Sequence, residues 1–260
     1  MKEILGVENL SKSFGGVQAV RDLSFTVRRG QIHGLIGPNG SGKSTTLHLV
    51  SGFIRANDGQ ISFGDRVITT LQPHQRASLG IGRVFQSPAV FAELTVLDNV
   101  MVGCHTMEPS GRRLFNVIFR QRNVGRKDAA LREWCMECLD GVGLAARAGV
   151  RAGELSYGEQ KLLDLAKAIA HKPTLLLLDE PAAGLGTQFT ERVSLIMQRF
   201  RELGTAIVLA EHNMKLVLEI SDYITVLHHG EKIADGHPDK VRRDPAVITA
   251  YLGLAGAAAC

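Results

Sequence analysis

The sequence predicts an α/β fold: a mixed sheet core with an antiparallel β layer before it and a helical subdomain inserted into it. Three observations carry this expectation. Gly37-Pro38-Asn39-Gly40-Ser41-Gly42-Lys43-Ser44 fits the phosphate-loop pattern G-x-x-x-x-G-K-[ST] at every specified position. The apolar run Ile32 to Ile36 precedes it and the helix-compatible Thr45 to Val50 follows, which is the strand, loop and helix order the motif requires. Two more apolar runs, Leu175 to Leu178 and Thr205 to Leu209, lead into Asp179-Glu180 and Glu211-His212. Short runs of this kind suit strands buried on both faces of a parallel sheet. Between the loop and these runs, Leu131, Trp134, Cys135, Cys138, Leu139 and Val142 recur at i, i+3, i+4, i+7, i+8 and i+11, the inward face of a helix.

The antiparallel layer comes first. Ile4 to Leu10 reads as a strand, a turn falls at Gly15-Gly16, and Leu23, Phe25 and Val27 alternate along a second strand before Arg29-Gly30. After the loop helix, Gln60 to Phe63 and Arg66 to Ile68 are joined by Gly64-Asp65 as a hairpin. Ile81 to Phe85 is a further strand, ending at Gln86. Residues 87–154 lack strand alternation, and a helix from Asp128 to about Leu139 closes at Gly141 and Gly143. Leu155-Ser156-Tyr157-Gly158-Glu159-Gln160 opens a helix that His171-Lys172-Pro173 stops near Ala170. Ile224 to Leu227 and Ile233-Ala234 flank a turn at His229-Gly230-Glu231; residues 237–252 read as a short helical tail, with Leu254 to Cys260 frayed. The expected organisation is a nucleotide-binding core with its β layer over 1–86 and 171–236, a helical subdomain over 87–170, and a tail over 237–260.

Bulk properties narrow the function class. At 260 residues and 45% hydrophobic content the chain is long enough for a sizeable globular core. Its aliphatic runs fall far short of the ~20 residues that cross a bilayer, and Glu3 and Glu8 stand where a signal peptide is apolar, so a cytoplasmic location is expected. Net charge is +4, with Arg112, Arg113, Arg120, Arg122, Arg126, Lys127 and Arg132 clustered around a single acid, Asp128. A solvated helix face is preferred over a nucleic-acid site, with anionic lipid as a third reading. Four cysteines make no disulfide scaffold, and Cys135-x-x-Cys138 has no second pair at zinc spacing, so packing is the expectation.

The candidate site follows from the loop. Its glycines let backbone N–H groups close on phosphate oxygens, with the helix dipole behind them. Lys43 supplies a point charge to the β/γ-phosphates and Ser44 a hydroxyl for Mg2+. Ligands in open α/β sheets lie beyond the carboxyl ends of the strands, which makes Gln86, Asp179, Glu180 and His212 candidates. Asp179 suits the Mg2+ side, Glu180 a water attacking the γ-phosphate, and His212 the γ-phosphate itself. Phe14 either stacks on a base or packs. Ser156 and Glu159 have the spacing of a capping box, which explains both, although a Ser beside a Gly at a helix start is also a phosphate ligand. His228-His229 lacks other ligand types nearby and is expected in solvent.

The order of the phosphate loop, Gln86, Leu155 to Gln160, Leu175 to Pro181 and His212 resembles the ATP-binding subunit of ABC transporters over almost the whole chain. The resemblance implies ATP and Mg2+ as cofactors and a head-to-tail dimer with two sandwiched nucleotides. It implies that Ser156 and Gly158, with Glu159, reach the partner's ATP, that Gln86 joins the metal site to the membrane partner, and that Phe14 stacks on adenine. Thr45 belongs to the same nucleotide-binding loop. Arg83-Val84-Phe85-Gln86, Gly153 to Gln160, Asp179 to Leu185, Glu211-His212-Asn213-Met214 and Ala250-Tyr251-Leu252-Gly253 look like the branched-chain amino acid importers. That likeness implies permease subunits, a second ATPase subunit, an indirect periplasmic or extracellular solute-binding protein, no specific nucleic acid, and a place on the cytoplasmic face of the inner membrane. Related subgroups carry urea or amides, and a lipopolysaccharide-export ATPase is more distant. Four positions depart from the pattern: Tyr157 and Glu159 within the signature, Gly186 where Asp or Asn is usual, and Asn213 where Asp is frequent. The rivals are a soluble ABC-type ATPase acting on nucleic acid or ribosomes, which usually has two cassettes or a coiled coil, and a metabolite kinase, which needs neither the signature nor His212.

Overall fold

The computed structural model describes residues 2–104 and 124–257, with side chains described for 2–104 and 129–251. The basic residues from Arg112 to Lys127 therefore lie outside the described side chains, as do the ends of the tail. No helix among the described residues is long and apolar enough to cross a membrane. Two compact units emerge, one of Met1–Gln86, Thr174–Gly184 and Val193–Cys260, the other of Ser87–Pro173 and Leu185–Arg192.

The first unit contains both sheets. In one, β1 (Glu3–Phe14) lies between β2 (Val17–Arg28) and β4 (Asp58–Phe63), with β5 (Arg66–Val67) at the edge, all antiparallel. The other runs in the order β10-β9-β3-β8-β7-β6: β3 (Ile32–Ile36), β6 (Ile81–Val84), β7 (Leu175–Asp179), β8 (Ala206–Glu211) and β9 (Tyr223–His228) are parallel, and β10 (Glu231–Gly236) is antiparallel at the edge. Leu23, Phe25 and Val27 point inward as their alternation requires. They join Leu5, Val7 and Leu10 of β1, Leu47 and Leu49 of α1 (Lys43–Ser51), and Leu175, Leu177 and Val208 of the parallel sheet in one core. β3, β7 and β8 are buried along their whole lengths, because a central parallel strand exposes neither face. Helices α2 (Pro73–Ser78), α7 (Met214–Ile220), α8 (Pro238–Arg242) and α9 (Pro245–Ala257) also belong to this unit, so the helical tail clusters with the core.

The hairpin differs from expectation in one respect. Its second strand stops at Val67, because Thr69 Oγ1 accepts the Ile61 N–H at 2.8 Å and so occupies a rung that backbone would have filled. Ile68 N still reaches Ile61 O at 2.8 Å.

The second unit packs α3 (Val96–Cys104), α4 (Val124–Gly141) and α5 (Tyr157–Ala170) on one another. α4 begins four residues before the expected Asp128. Cys135, Cys138 and Leu139 are buried with Val96, Val100, Leu162 and Ile169, so the cysteines are core residues as expected. Trp134 Nε1 donates to Ala170 O at 2.9 Å. The start of α6 (Thr187–Glu202) clusters with this unit, although the sequence reading placed residues 185–192 in the core.

Candidate nucleotide site

The phosphate loop leaves the buried end of β3 and enters α1 at Lys43. Glycine is demanded at two of its positions. Gly37 has φ +155°, and a Cβ there would come 2.1 Å from Leu227 O; Gly42 has φ +103°, and a Cβ would meet Ala19 O at 2.5 Å. Gly40 also has positive φ, Pro38 is half-buried and Asn39 exposed. Ser41 N donates to Pro38 O at 3.1 Å, closing the turn, while buried Ser41 Oγ has no hydrogen-bond partner among the described residues. This concave loop, with an unused hydroxyl and backbone donors at a helix start, fits a phosphate chain.

Lys43 lies within the loop, its Nζ donating to Gly37 O at 2.8 Å and Pro38 O at 3.1 Å. Burial lowers its pKa, and the carboxylates of Glu180, Asp179 and Glu211 oppose that shift. Ser44 Oγ donates to Asp179 Oδ1 at 2.9 Å, and half-buried Thr45 follows in the first helical turn. Phe14, the last residue of β1, keeps about half of its surface exposed, with Lys12 Nζ 5.1 Å from the ring centre.

Parallel register brings the strand exits to one edge. Val84 pairs with Leu178, Asp179 with Ala210 and Ile36 with Glu211, so Gln86, Asp179, Glu180 and His212 arrive beside the loop. Asp179 is buried and Glu180 follows it in the left-handed region, at φ +46°. A non-glycine residue there costs on the order of 1–3 kcal/mol and concentrates at functional sites. This kink aims consecutive carboxylates at different partners. Glu180 Oε2 accepts from Gln86 Nε2 at 3.1 Å, and its Oε1 lies 3.4 Å from His212 Nδ1.

Two residues without a role in the sequence reading belong to this network. Arg83 Nη2 lies 3.4 Å from Asp179 Oδ2, both side chains being only 5% exposed. Burial pulls the Arg83 pKa down to about 10, against the pull of Asp179. Glu211 is buried and accepts from the backbone N–H of His212 (3.1 Å), Ala182 (3.3 Å) and Asn213 (3.4 Å). Burial raises its pKa, with those hydrogen bonds opposing the shift. A lone Arg inside an apolar strand and an acid at the end of another were the available signals.

In the second unit, Ser156 caps α5. Ser156 N donates to Glu159 Oε2 at 2.9 Å, Ser156 Oγ donates to the same oxygen at 2.8 Å, and Glu159 N returns a bond to Ser156 Oγ at 3.4 Å. Those hydrogen bonds from Ser156 lower the Glu159 pKa, with Arg147, whose Nε lies 3.7 Å away, adding to the shift. A Cβ at Gly158 would stand 2.7 Å from the Phe189 ring, which accounts for glycine there. Tyr157 is half exposed. The departures at Gly186 and Asn213 both fall at helix starts: Gly186 O accepts from Phe189 N and Thr190 N, and Asn213 Oδ1 accepts from Leu216 N at 3.2 Å as the cap of α7. Glycine and asparagine both serve as N-caps. His229 is exposed in its turn and His228 half-buried, their rings 4.1 Å apart.

Comparison with known proteins identifies the family. The family described as "ABC transporter" matches residues 20–183, and one described as "Branched-chain amino acid ATP-binding cassette transporter" matches residues 231–256. The high-affinity branched-chain amino acid transport ATP-binding protein LivG of Salmonella typhimurium is 37% identical over 253 residues, covering 97% of this chain and 98% of that protein. BraF of Pseudomonas aeruginosa, of the same description, is 36% identical over 255 residues, covering 98% and 99%. A crystal structure of the ADP conformation of MJ1267, an ATP-binding cassette of an ABC transporter, superposes with a TM-score of 0.84 at 31% identity, covering 97% of this chain and 100% of that one. A match spanning the phosphate loop and both carboxylates of the β7 exit, with likeness along the whole chain, places this protein in the ABC transporter family, as one of its ATP-binding, ATP-hydrolysing cassettes.

Proposed function

We propose that the chain is the ATP-hydrolysing subunit of an importer for branched-chain amino acids, working on integral membrane permease subunits at the cytoplasmic face of the inner membrane. A second ATPase subunit completes the head-to-tail dimer, and a solute-binding protein delivers the cargo. The observation that carries the cargo class is the match of the tail, residues 231–256, to the branched-chain amino acid cassettes, together with full-length likeness to proteins of that description.

The chemistry follows from the strand exits. Backbone N–H groups of the loop and Lys43 hold the β/γ-phosphates. Ser44, Asp179 and Gln86 are the residues that would hold Mg2+, a fit supported by the Ser44–Asp179 hydrogen bond. Bound there, the ion would neutralise charge building on the phosphate oxygens. Glu180 acts as general base for the attacking water: its carboxylate lies between Gln86 and His212, which fixes its orientation. His212 turns towards the γ-phosphate, Phe14 stacks on adenine, and Ser156, Gly158 and Glu159 serve the nucleotide of the partner subunit.

The test is uptake in the cell of origin. Deleting the gene should abolish high-affinity uptake of labelled leucine, isoleucine or valine, with rescue by the wild-type chain and none by Glu180→Gln. Unimpaired uptake of all three would sink the cargo assignment.

A further inference from the structure

Asp179 has one oxygen facing Ser44 of the loop and the other facing Arg83. We propose that Arg83 is a positioning residue: it clamps the carboxylate of Asp179 so that the metal-bearing side of the site is already in register when Mg-nucleotide arrives. The inference rests on the reading of Asp179 as a Mg2+ holder.

Four observations carry it. Arg83 reaches Asp179 from a strand position, across the β6–β7 pairing, where the backbone leaves it little freedom. Its guanidinium is itself held, with Nη1 donating to Ser51 Oγ, whose hydroxyl in turn bonds Leu47 O at 2.7 Å inside α1. Its Cζ lies 4.6 Å from the Phe85 ring centre and 5.6 Å from that of Phe53, and those rings meet edge-on with centres 5.2 Å apart. The fourth is the burial of both partners, since an ion pair removed from water gains little net stability. Arg is charged throughout the physiological range and rigid in its fork, so it fixes the orientation of a carboxylate that a hydrocarbon side chain would leave unpaired. Ser51 also places the clamp at the far end of the helix that begins at Lys43. The two ends of α1 thus both connect to Asp179, one through Ser44 and one through Ser51 and Arg83.

Metal sites lose about 10–100-fold in metal affinity when a residue orienting a ligand is removed. The experiment measures binding of a fluorescent ATP analogue to the purified full chain, once with Mg2+ and once with EDTA. Wild type, Arg83→Met, Arg83→Lys and Asp179→Asn are compared, with thermal melting as the check on folding. Arg83→Met should lose roughly tenfold or more of the affinity gained from Mg2+ while binding in EDTA stays within about twofold of wild type. Arg83→Lys keeps the charge without the fork and should fall between. Equal loss with and without Mg2+ would make Arg83 a general packing residue and overturn the proposal, as would Met and Lys variants indistinguishable from wild type. If Arg83→Met does not fold, Arg83→Lys decides alone: a loss confined to the Mg2+ condition supports the clamp, and no loss overturns it. Asp179→Asn separates the two levels. Should it keep the full Mg2+ effect, the metal assignment of Asp179 falls and the clamp with it; should it lose the effect while both Arg83 variants keep it, only the clamp falls.

Discussion

The two units solve the placement of polar groups in opposite ways. In the first, residues distant in sequence satisfy one another: Ser44 with Asp179 across 135 positions, Arg83 with Asp179 across 96, Gln86 with Glu180 across 94. In the second, the signature residues bond over three positions, Ser156 with Glu159. A network of long-range pairs exists only when the parallel sheet is in register, so chemistry there depends on tertiary structure. A capping box forms with its own helix. A substitution in the first unit should therefore be read out in nucleotide chemistry, and one in the capping box first in local stability.

The largest effect that would sharpen this contrast is on turnover. Glu180→Gln should slow ATP hydrolysis by roughly 10²–10⁴-fold, the usual contribution of a general base, with ATP affinity unchanged in equilibrium binding. Turnover at the wild-type rate would remove Glu180 from the mechanism.

Acidification separates the units next. His33, fully buried between Phe25 and Tyr223 with Nε2 2.9 Å from Thr225 Oγ1, has its pKa lowered to about 4, chiefly by burial. The unfolded chain, with a histidine pKa of about 6.5, takes up the proton first. Stability is thus fully present above about pH 6.5 and is lost as pH falls towards 4, at about 1.4 kcal/mol per pH unit, on the order of 3 kcal/mol in all. His33→Gln should flatten that limb of a urea-unfolding series taken against pH; an unaltered slope would place the acid sensitivity elsewhere. The Glu159 pKa is lowered as well, by its hydrogen bonds from Ser156. That shift contributes stability that is fully present above the ordinary carboxylate range and is lost as pH falls through the lowered value, so the loss from about pH 6.5 down to the carboxylate range comes from His33 and not from the capping box.

Lys43→Ala removes the ammonium from the loop. Hydrogen bonds to charged groups are worth about 1.5–3 kcal/mol, so the Kd for ATP should rise by roughly 10- to 150-fold. Undiminished affinity would contradict the loop assignment. The smallest change is Ser156→Ala, which should cost about 1 kcal/mol through loss of the helix cap, read as a lower melting temperature, with the isolated chain binding ATP as before. A large loss of ATP affinity in the isolated chain would break the contrast between the units.

Much of this was legible in the residues. The phosphate loop, the apolar strands delivering Asp179, Glu180 and His212, and the capping box all announce themselves within a few positions, because each is a local pattern with one physical explanation. The partners of those residues were not. Arg83 and Asp179 meet through the pairing of β6 with β7, and no periodicity within either strand encodes that contact. Glu211 gains its backbone hydrogen bonds from the turn after β8 and from Ala182, again a product of register. The left-handed backbone at Glu180 was equally hidden, since glutamate has no preference for it and the surrounding strand exits impose it. Thr69 shortened the hairpin through a side-chain hydrogen bond that strand propensity does not register.

The most direct test of the central claim is to purify the chain from its own membranes in mild detergent with ATP, reconstitute what accompanies it into vesicles, and follow ATP hydrolysis as branched-chain amino acids and their binding protein are added. The account predicts hydrophobic permease chains and a second ATPase in the purified complex, with hydrolysis stimulated by leucine, isoleucine or valine and lost in Glu180→Gln. A chain that purifies alone or with ribosomes, or a complex whose hydrolysis ignores all three amino acids, would contradict it.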